Sequence, residues 1–243
     1  MSLLDRGWLL FAWVFLPEGY PDSVSRDYLQ YQLWDTLQGF LQYLRGIILG
    51  LCYLKGMGVG SATSSLNSAM LILLARDSVG VVSGLCVGVP TFTVPFSDLK
   101  RLRFFRLTSE LIRVAAGFLE IYASVYSREW FLVLSCIIVV LNTVASVMAT
   151  QTRSALVTHF ACKGNVADCA AKEGNQDRGV KVFGIPLAVL LLAHLGDDIS
   201  AMMTAYCLLV AAQLVFNVFA VQALQLEADS DNAAPVGPSK KSQ

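Results

Sequence analysis

Charge is what this chain has least of. Only 15% of its 243 residues are Asp, Glu, Lys or Arg, against about a quarter in an average soluble domain. With 55% hydrophobic residues and a mean hydropathy of +0.58, that shortage excludes an ordinary water-soluble domain and points to an integral membrane protein. Eighteen basic residues balance eighteen acidic ones, so the electrostatic footprint of a nucleic-acid binder is missing. Histidine is nearly absent. Neither His159 nor His194 has an orienting partner visible in sequence, and no Gly-x-Ser-x-Gly elbow occurs, so nucleophilic catalysis lacks its parts and the chain reads as a non-enzyme without a cofactor. The glycine cluster from Gly50 to Gly60 contains Lys55 but no Gly-Lys-Ser/Thr and no preceding strand, which makes it a hinge between helices rather than a phosphate loop. The first residues carry neither a small-residue cleavage site nor an Arg- and Ser-rich start, against a signal or transit peptide. The six cysteines fall mostly in apolar runs, as free thiols packed like small hydrophobes do.

What the chain has instead is long apolar segments. Trp130 to Ala149 is 20 residues without a charge, and Ile199 to Leu224 is 26, broken only by polar residues such as Gln213 and Asn217 one turn apart. Each is long enough to cross a hydrocarbon core that needs about 20 helical residues. Val182 to Leu195, with Pro186 and His194, is a shorter third span. Residues 8–16 are apolar but too few to cross, and Pro17 ends the run, so it reads as interfacial. Gly58 to Leu74 is rich in Gly, Ala and Ser, the composition that lets membrane helices approach closely, and reads as an inner helix. The expected fold is all-α: a polytopic helical membrane bundle of about five to seven membrane-associated helices. Its divisions are a short apolar leader at 1–16, a membrane domain at 17–226 and a disordered polar tail at 227–243.

The polar residues inside this apolar background are patterned. In the helix that follows Pro17, Asp35, Gln38, Gln42 and Arg45 lie within roughly 80° of arc, with Tyr28 and Tyr31 near the same line and Leu33, Leu37, Phe40, Leu44, Ile47 and Ile48 opposite. From Lys100 to Ser124 the pattern recurs: Arg106, Glu110, Arg113, Gly117, Glu120 and Ser124 share one side, with Leu111, Ala115, Phe118 and Tyr122 opposing them. In a soluble protein either seam is simply the wet face of a helix. In a membrane bundle it must turn inward, and the two seams are expected to face each other. Arg76 and Asp77 interrupt an otherwise uncharged run, either as the cap of a tight surface hairpin, the favoured reading, or inside a discontinuous helix at membrane depth.

The stretch Pro17 to Arg45 (PEGYPDSVSRDYLQYQLWDTLQGFLQYLR) closely resembles the leading motif of the root UVB-sensitive (RUS) family. The likeness returns at Ala75 to Gly80 (ARDSVG), Thr152 to Ala161 (TRSALVTHFA) and Asn165 to Gln176 (NVADCAAKEGNQ), and so spans about residues 17–195. The resemblance implies a membrane protein without an established chemistry, linked through its plant members to plastids, light response and vitamin B6 balance. It also implies that full-length relatives carry more sequence before Pro17 and a further soluble domain after the last helix. By the same likeness the membrane is organellar, plastid in plant members, or endomembrane.

Residues 151–181 concentrate the reactive side chains and read as a loop. His159, Cys162 and Cys169 match no common zinc spacing, and Lys172 and Glu173 are adjacent and would point about 100° apart on a helix, so neither a metal centre nor an acid–base pair follows. The loop either caps the bundle or, as the resemblance favours, recognises a partner through His159, Asn165, Asp168, Lys172, Glu173 and Gln176. Two functions then stand open. The seam residues Asp35, Gln38, Gln42, Arg45, Arg76, Asp77, Glu110 and Arg113 line a polar path in a transporter-like protein handling a small metabolite, or the chain is a membrane scaffold. Expected partners are the lipid bilayer, another RUS-family chain and a small anionic metabolite. The basic clusters at 100–106 and 153–181 put 98–106, 153–181 and 227–243 on one side of the membrane, with 127–129 and 196–198 opposite.

Overall fold

In the computed structural model, residues 3–59, 66–87, 99–126, 130–196 and 198–224 are described, and they form seven helices and no strand. The helices are α1 (Leu3–Phe15), α2 (Tyr28–Gly56), α3 (Leu66–Val87), α4 (Leu99–Tyr126), α5 (Phe131–Phe160), α6 (Val166–Leu195) and α7 (Ile199–Ala223). Five of them, α2, α3, α5, α6 and α7, are long and apolar enough to cross a membrane. The proposed tail at 227–243 and the turn at 127–129 lie outside the described residues.

The distribution of side chains is that of a membrane bundle. Leu33 on α2, Leu71 on α3 and Leu208 on α7 are 57%, 67% and 68% exposed, whereas Gln38, Arg45, Glu110, Gln213 and Asn217 are all 6% exposed or less. In water this arrangement would forfeit several kcal/mol per buried polar group and per exposed leucine. Against hydrocarbon, the apolar side chains need no burial and the polar ones must find each other inside.

From α2 to α7 the six long helices alternate in direction. Residues 160–162 and the α2 start meet at one end, where Ser25 N donates to Phe160 O at 3.1 Å and Cys162 N to Ser23 O at 3.2 Å. The start of α4 and the end of α7 join them through Arg103 Nη2, which donates to Leu224 O at 2.9 Å. At the other end Gly56 of α2 abuts the Phe131 ring at the start of α5 so closely that a Cβ would overlap it. Ile48, Cys52, Ile121, Leu195, Met202 and Tyr206 pack together on that side. Arg101, Arg103, Arg153, Lys163, Lys172 and Arg178 belong to the first end, hereafter the basic end. α4 runs the length of the bundle, with Ser109, Glu110, Ala116 and Glu120 inward and Leu111, Phe118 and Tyr122 outward.

Four expectations need correction. Residues 151–181 are no loop: α5 continues to Phe160 and α6 starts at Val166, so only a five-residue turn (161–165) separates two 30-residue helices. Their polar ends extend past the apolar spans, and Val182–Leu195 is simply the apolar half of α6. Arg76 and Asp77 sit within the continuous helix α3 rather than in a hairpin, because Glu120 and the Tyr53 ring compensate the arginine. α3 is peripheral, with no buried residue, and the small-residue stretch at 60–65 lies outside the described part. Finally, α2 passes through Gly50 unbroken and ends at Gly56.

Candidate functional site

Where the two seams meet, α4 supplies the hub. Arg106 reaches from α4 into the gap between α2 and α7. Its Nε donates to Asn217 Oδ1 at 3.0 Å and its Nη2 to Gln38 Oε1 at 2.9 Å, while Nη1 donates to the Tyr31 hydroxyl and Nη2 also forms a short ion pair with Asp35. One turn along, Glu110 Oε2 accepts from Gln213 Nε2 of α7 at 2.7 Å. A guanidinium presents its donors as a rigid planar fork and keeps its charge at any ordinary pH, which suits it to hold three helices at once. The polar pair of α7, spaced one turn apart, is thus the third wall of the seam, a role its isolated position in a 26-residue span does not announce.

Beside this hub lies a cavity of about 210 Å³ between α2, α4, α5 and α6. Asp35, Gln38, Gly39 and Gln42 line it from α2, Arg106, Ser109, Glu110 and Arg113 from α4, Thr150, Thr152 and Arg153 from α5, and Glu173 and Asp177 from α6. Arg153 bridges the last two, with Nε 2.8 Å from Glu173 Oε1 and Nη2 2.7 Å from Asp177 Oδ2. Arg153 and Asp177 are about half exposed, so the cavity opens at the basic end, and its lining runs along α4 from Arg106 to Arg113 toward mid-bundle. Arg45 lies a turn beyond Gln42, within electrostatic reach of Glu110 and Arg113. The depth follows from helix geometry. Arg45 precedes Gly56 by eleven residues and Arg113 precedes Tyr126 by thirteen, so both stand roughly 16–20 Å from the opposite end of a core about 30 Å thick.

The second group of residues singled out in the sequence, those of 151–181, turns out to hold the chain's first helix. α1 ends at Phe15 with its last carbonyls unpaired within the helix. Lys172 Nζ donates to Trp13 O, Asn175 Nδ2 to Val14 O at 2.9 Å and Gln176 Nε2 to Phe15 O at 2.8 Å. Asp168 Oδ2 accepts from Glu18 N at 2.7 Å. Gln176 Oε1 also accepts from Gln32 of α2. His159 Nε2 is 3.1 Å from Asp27 Oδ2 just ahead of α2. Asn165 precedes α6, and both polar atoms of its side chain are buried without a partner. Of His159, Asn165, Asp168, Lys172, Glu173 and Gln176, Glu173 alone lines the cavity. Arg76 and Asp77 lie apart from it: Arg76 Nη1 pairs with Glu120 Oε1 at 3.0 Å, and Asp77 is exposed.

Three of the four sequence stretches noted above therefore converge at the basic end, around the cavity and the α1 clasp. Residues 4–229 match the family model described as "Vitamin B6 photo-protection and homoeostasis domain". The chain belongs to the root UVB-sensitive (RUS) family. It is 32% identical over 216 residues to "RUS family member 1" of Dictyostelium discoideum, covering 88% of this chain and 40% of that protein. It is 29% identical over 219 residues to "Protein root UVB sensitive 3" of Arabidopsis thaliana, covering 90% of this chain and 49% of that protein. The chain thus spans less than half the length of these RUS relatives. No solved structure matches it.

Proposed function

We propose that this RUS chain is a non-enzymatic, transporter-like membrane protein that takes a small polar metabolite into the cavity between α2, α4, α5 and α6. The observation that carries the reading is the cavity itself: four helices turn carboxylates, guanidiniums and amides into one space that opens at the basic end and reaches toward the middle of the bundle. Polar side chains at membrane depth are costly and mark solute paths more often than packing. At about 210 Å³ the space is smaller than the 300–1,000 Å³ typical of drug-sized ligands, which limits the solute to a small metabolite. The family description points to vitamin B6 compounds as first candidates, in an organellar or endomembrane bilayer. The scaffold reading has less support, because Asp168, Lys172, Asn175 and Gln176 bond within the chain rather than displaying their polar groups.

Gly39 allows a clean test. It lines the cavity, and a Cβ placed on it would meet nothing within 4 Å. Gly39→Leu therefore fills the space and also favours the helix by nearly 1 kcal/mol. Purified protein in proteoliposomes should take up pyridoxal, pyridoxine or pyridoxal phosphate above empty vesicles, and Gly39→Leu should abolish that uptake while melting no lower than the parent. Uptake equal in both proteins would remove the cavity from the solute path, and none across a broad panel of small metabolites would move the assignment to a scaffold.

A further inference from the structure

The charges around the cavity do not balance locally, and the imbalance lies at its deep end. Asp35 answers Arg106, and Arg153 is answered twice, by Glu173 and Asp177. That leaves Arg45, Arg113 and Glu110 together, two cations and one anion, near mid-bundle. Glu110 accepts its hydrogen bond from Gln213 rather than from either arginine. The guanidiniums are correspondingly unsatisfied: among the described residues, Nε and Nη1 of Arg45, a residue only 3% exposed, and Nε of Arg113 have no acceptor. An arginine cannot shed its proton to escape such a site as a lysine or carboxylate can. Three buried guanidinium nitrogens without an acceptor and one excess positive charge inside a bundle call for an anion with several acceptor oxygens.

Resting on the cavity as a solute site, the structure assigns to Arg113 and Arg45 an oxyanion seat at the inner end of that cavity. The ligand class is a small metabolite with a phosphate monoester or a carboxylate. Arg113 forms the wall and contacts the oxyanion directly; Arg45 stands next to it and supplies the second charge. Gln42 and Ser109, which also line the cavity, are the neutral groups nearest to them along α2 and α4. The anion's charge replaces what the pairing inside the chain leaves out, and Glu110 sets the limit on how tightly it is held by competing for the same two arginines. The outer mouth formed by Glu173, Asp177 and Arg153 holds two carboxyl groups against one guanidinium, so the acceptor-rich end of the cavity lies opposite its cation-rich end. That polarity favours a solute with an anionic group leading and a cationic or hydrogen-bond-donating group trailing.

The test compares two probes that share a ring and differ in one phosphate. Purified protein in detergent is titrated calorimetrically with pyridoxal phosphate and with pyridoxal, and with inorganic phosphate and acetate as minimal oxyanions. Pyridoxal phosphate should bind at least about tenfold more tightly than pyridoxal, and the preference should collapse in Arg113→Gln. It should persist in Arg178→Gln, an exposed arginine outside the cavity. If Arg113→Gln proves unstable, Glu110→Gln decides: it preserves an acceptor for Gln213 and removes the competing charge, so phosphate binding should tighten several-fold, an outcome that a purely structural arginine pair does not produce. Inorganic phosphate displacing pyridoxal phosphate, with acetate weaker, marks a phosphate seat; the reverse order marks a carboxylate seat. Equal binding of the two ring probes, or a phosphate preference unchanged in both Arg113→Gln and Glu110→Gln, overturns the seat. Failure is separable from failure of the transport reading. Uptake of pyridoxal blocked by Gly39→Leu without any phosphate preference removes the seat and keeps transport, whereas phosphate-dependent binding without uptake keeps the seat and removes transport.

Discussion

Asp35→Ala tests whether the two seams really share one desolvated interior. In the parent, the Asp35 carboxylate is 26% exposed at its side chain and the Arg106 guanidinium 13%, and they form a direct ion pair. Removing one partner of a fully buried pair costs about 3–5 kcal/mol, most of it the penalty of stranding the other charge. Two features reduce that figure here. Asp35 is partly accessible, and Arg106 keeps Tyr31, Gln38 and Asn217 as acceptors. An expected loss of about 2–3 kcal/mol follows, and at roughly 2–4 °C per kcal/mol for a chain of this size the melting midpoint should fall by about 4–12 °C. Trp34 provides the readout, since it is adjacent to Asp35 and its ring lies tilted against those of Phe216 and Phe219 on α7, with centroids 5.7 and 4.9 Å away. Its fluorescence reports separation of α2 from α7 during thermal unfolding in detergent. The double variant Asp35→Ala/Arg106→Ala should be less destabilised than the sum of the single ones, because the stranded charge is gone. A midpoint within 1 °C of the parent for Asp35→Ala and for Glu110→Ala alike would mean that water fills the seam and screens it, and the buried-seam argument would fail.

Other tests follow from single contacts. Glu120→Ala strands Arg76 beside the Tyr53 ring with no other acceptor among the described residues and should cost about 2–3 kcal/mol, read by thermal unfolding; no change would place that pair in water. Gly117→Ala forces a methyl onto the Tyr206 ring and should cost about 1–3 kcal/mol by overpacking, with partial recovery in Gly117→Ala/Tyr206→Leu. Gln176→Ala removes bonds to Phe15 and Gln32 and should speed amide hydrogen exchange at the end of α1 while leaving α4 and α7 protected; unchanged exchange would show the clasp to be dispensable. For sidedness, single cysteines at Ser154 and Ser200 in a cysteine-free background should react with a membrane-impermeant maleimide from opposite sides of oriented vesicles, with Arg101→Cys labelling alongside Ser154→Cys. Labelling of Ser154→Cys and Ser200→Cys from one side would break the alternating topology.

Much of this architecture is legible in the chain because a membrane simplifies the problem. Uncharged runs give the spans at 130–149 and 199–224, and a 3.6-residue period gives the seams of α2 and α4 without tertiary information. What misleads is polarity taken as irregularity. Residues 151–181 look like a loop because they are charged, yet Thr152, Ala155, Leu156 and Phe160, all buried, recur at helical spacing, and Ala167, Ala170, Ala171, Lys172 and Glu173 are good helix formers. A helix that continues past the hydrocarbon exchanges its apolar side chains for polar ones and keeps its period, so hydropathy alone loses it. The partners of Gln213 and Asn217 are hidden for another reason: which helix faces which depends on the order of packing, and no local pattern in α7 encodes that Glu110 and Arg106 lie across from it. The α1 clasp is similarly unreadable, joining groups about 150 residues apart in sequence.

That separation has a consequence for how the molecule is made. α1 is made well before the side chains that satisfy its last carbonyls: Lys172, Asn175 and Gln176 are about 160 residues behind it. At roughly 5–20 residues per second the wait is on the order of 10–30 s. Through that interval the apolar leading helix, with Trp8, Leu9, Leu10, Phe11 and Trp13 outward, has no place on the bundle and must rest against the bilayer surface or a chaperone. α2 meets the same delay, since its main neighbour is α7, the last of these seven helices to emerge. The α4–α5 hairpin can thus pair early, whereas α1 and α2 are fastened only once α6 and α7 have been inserted.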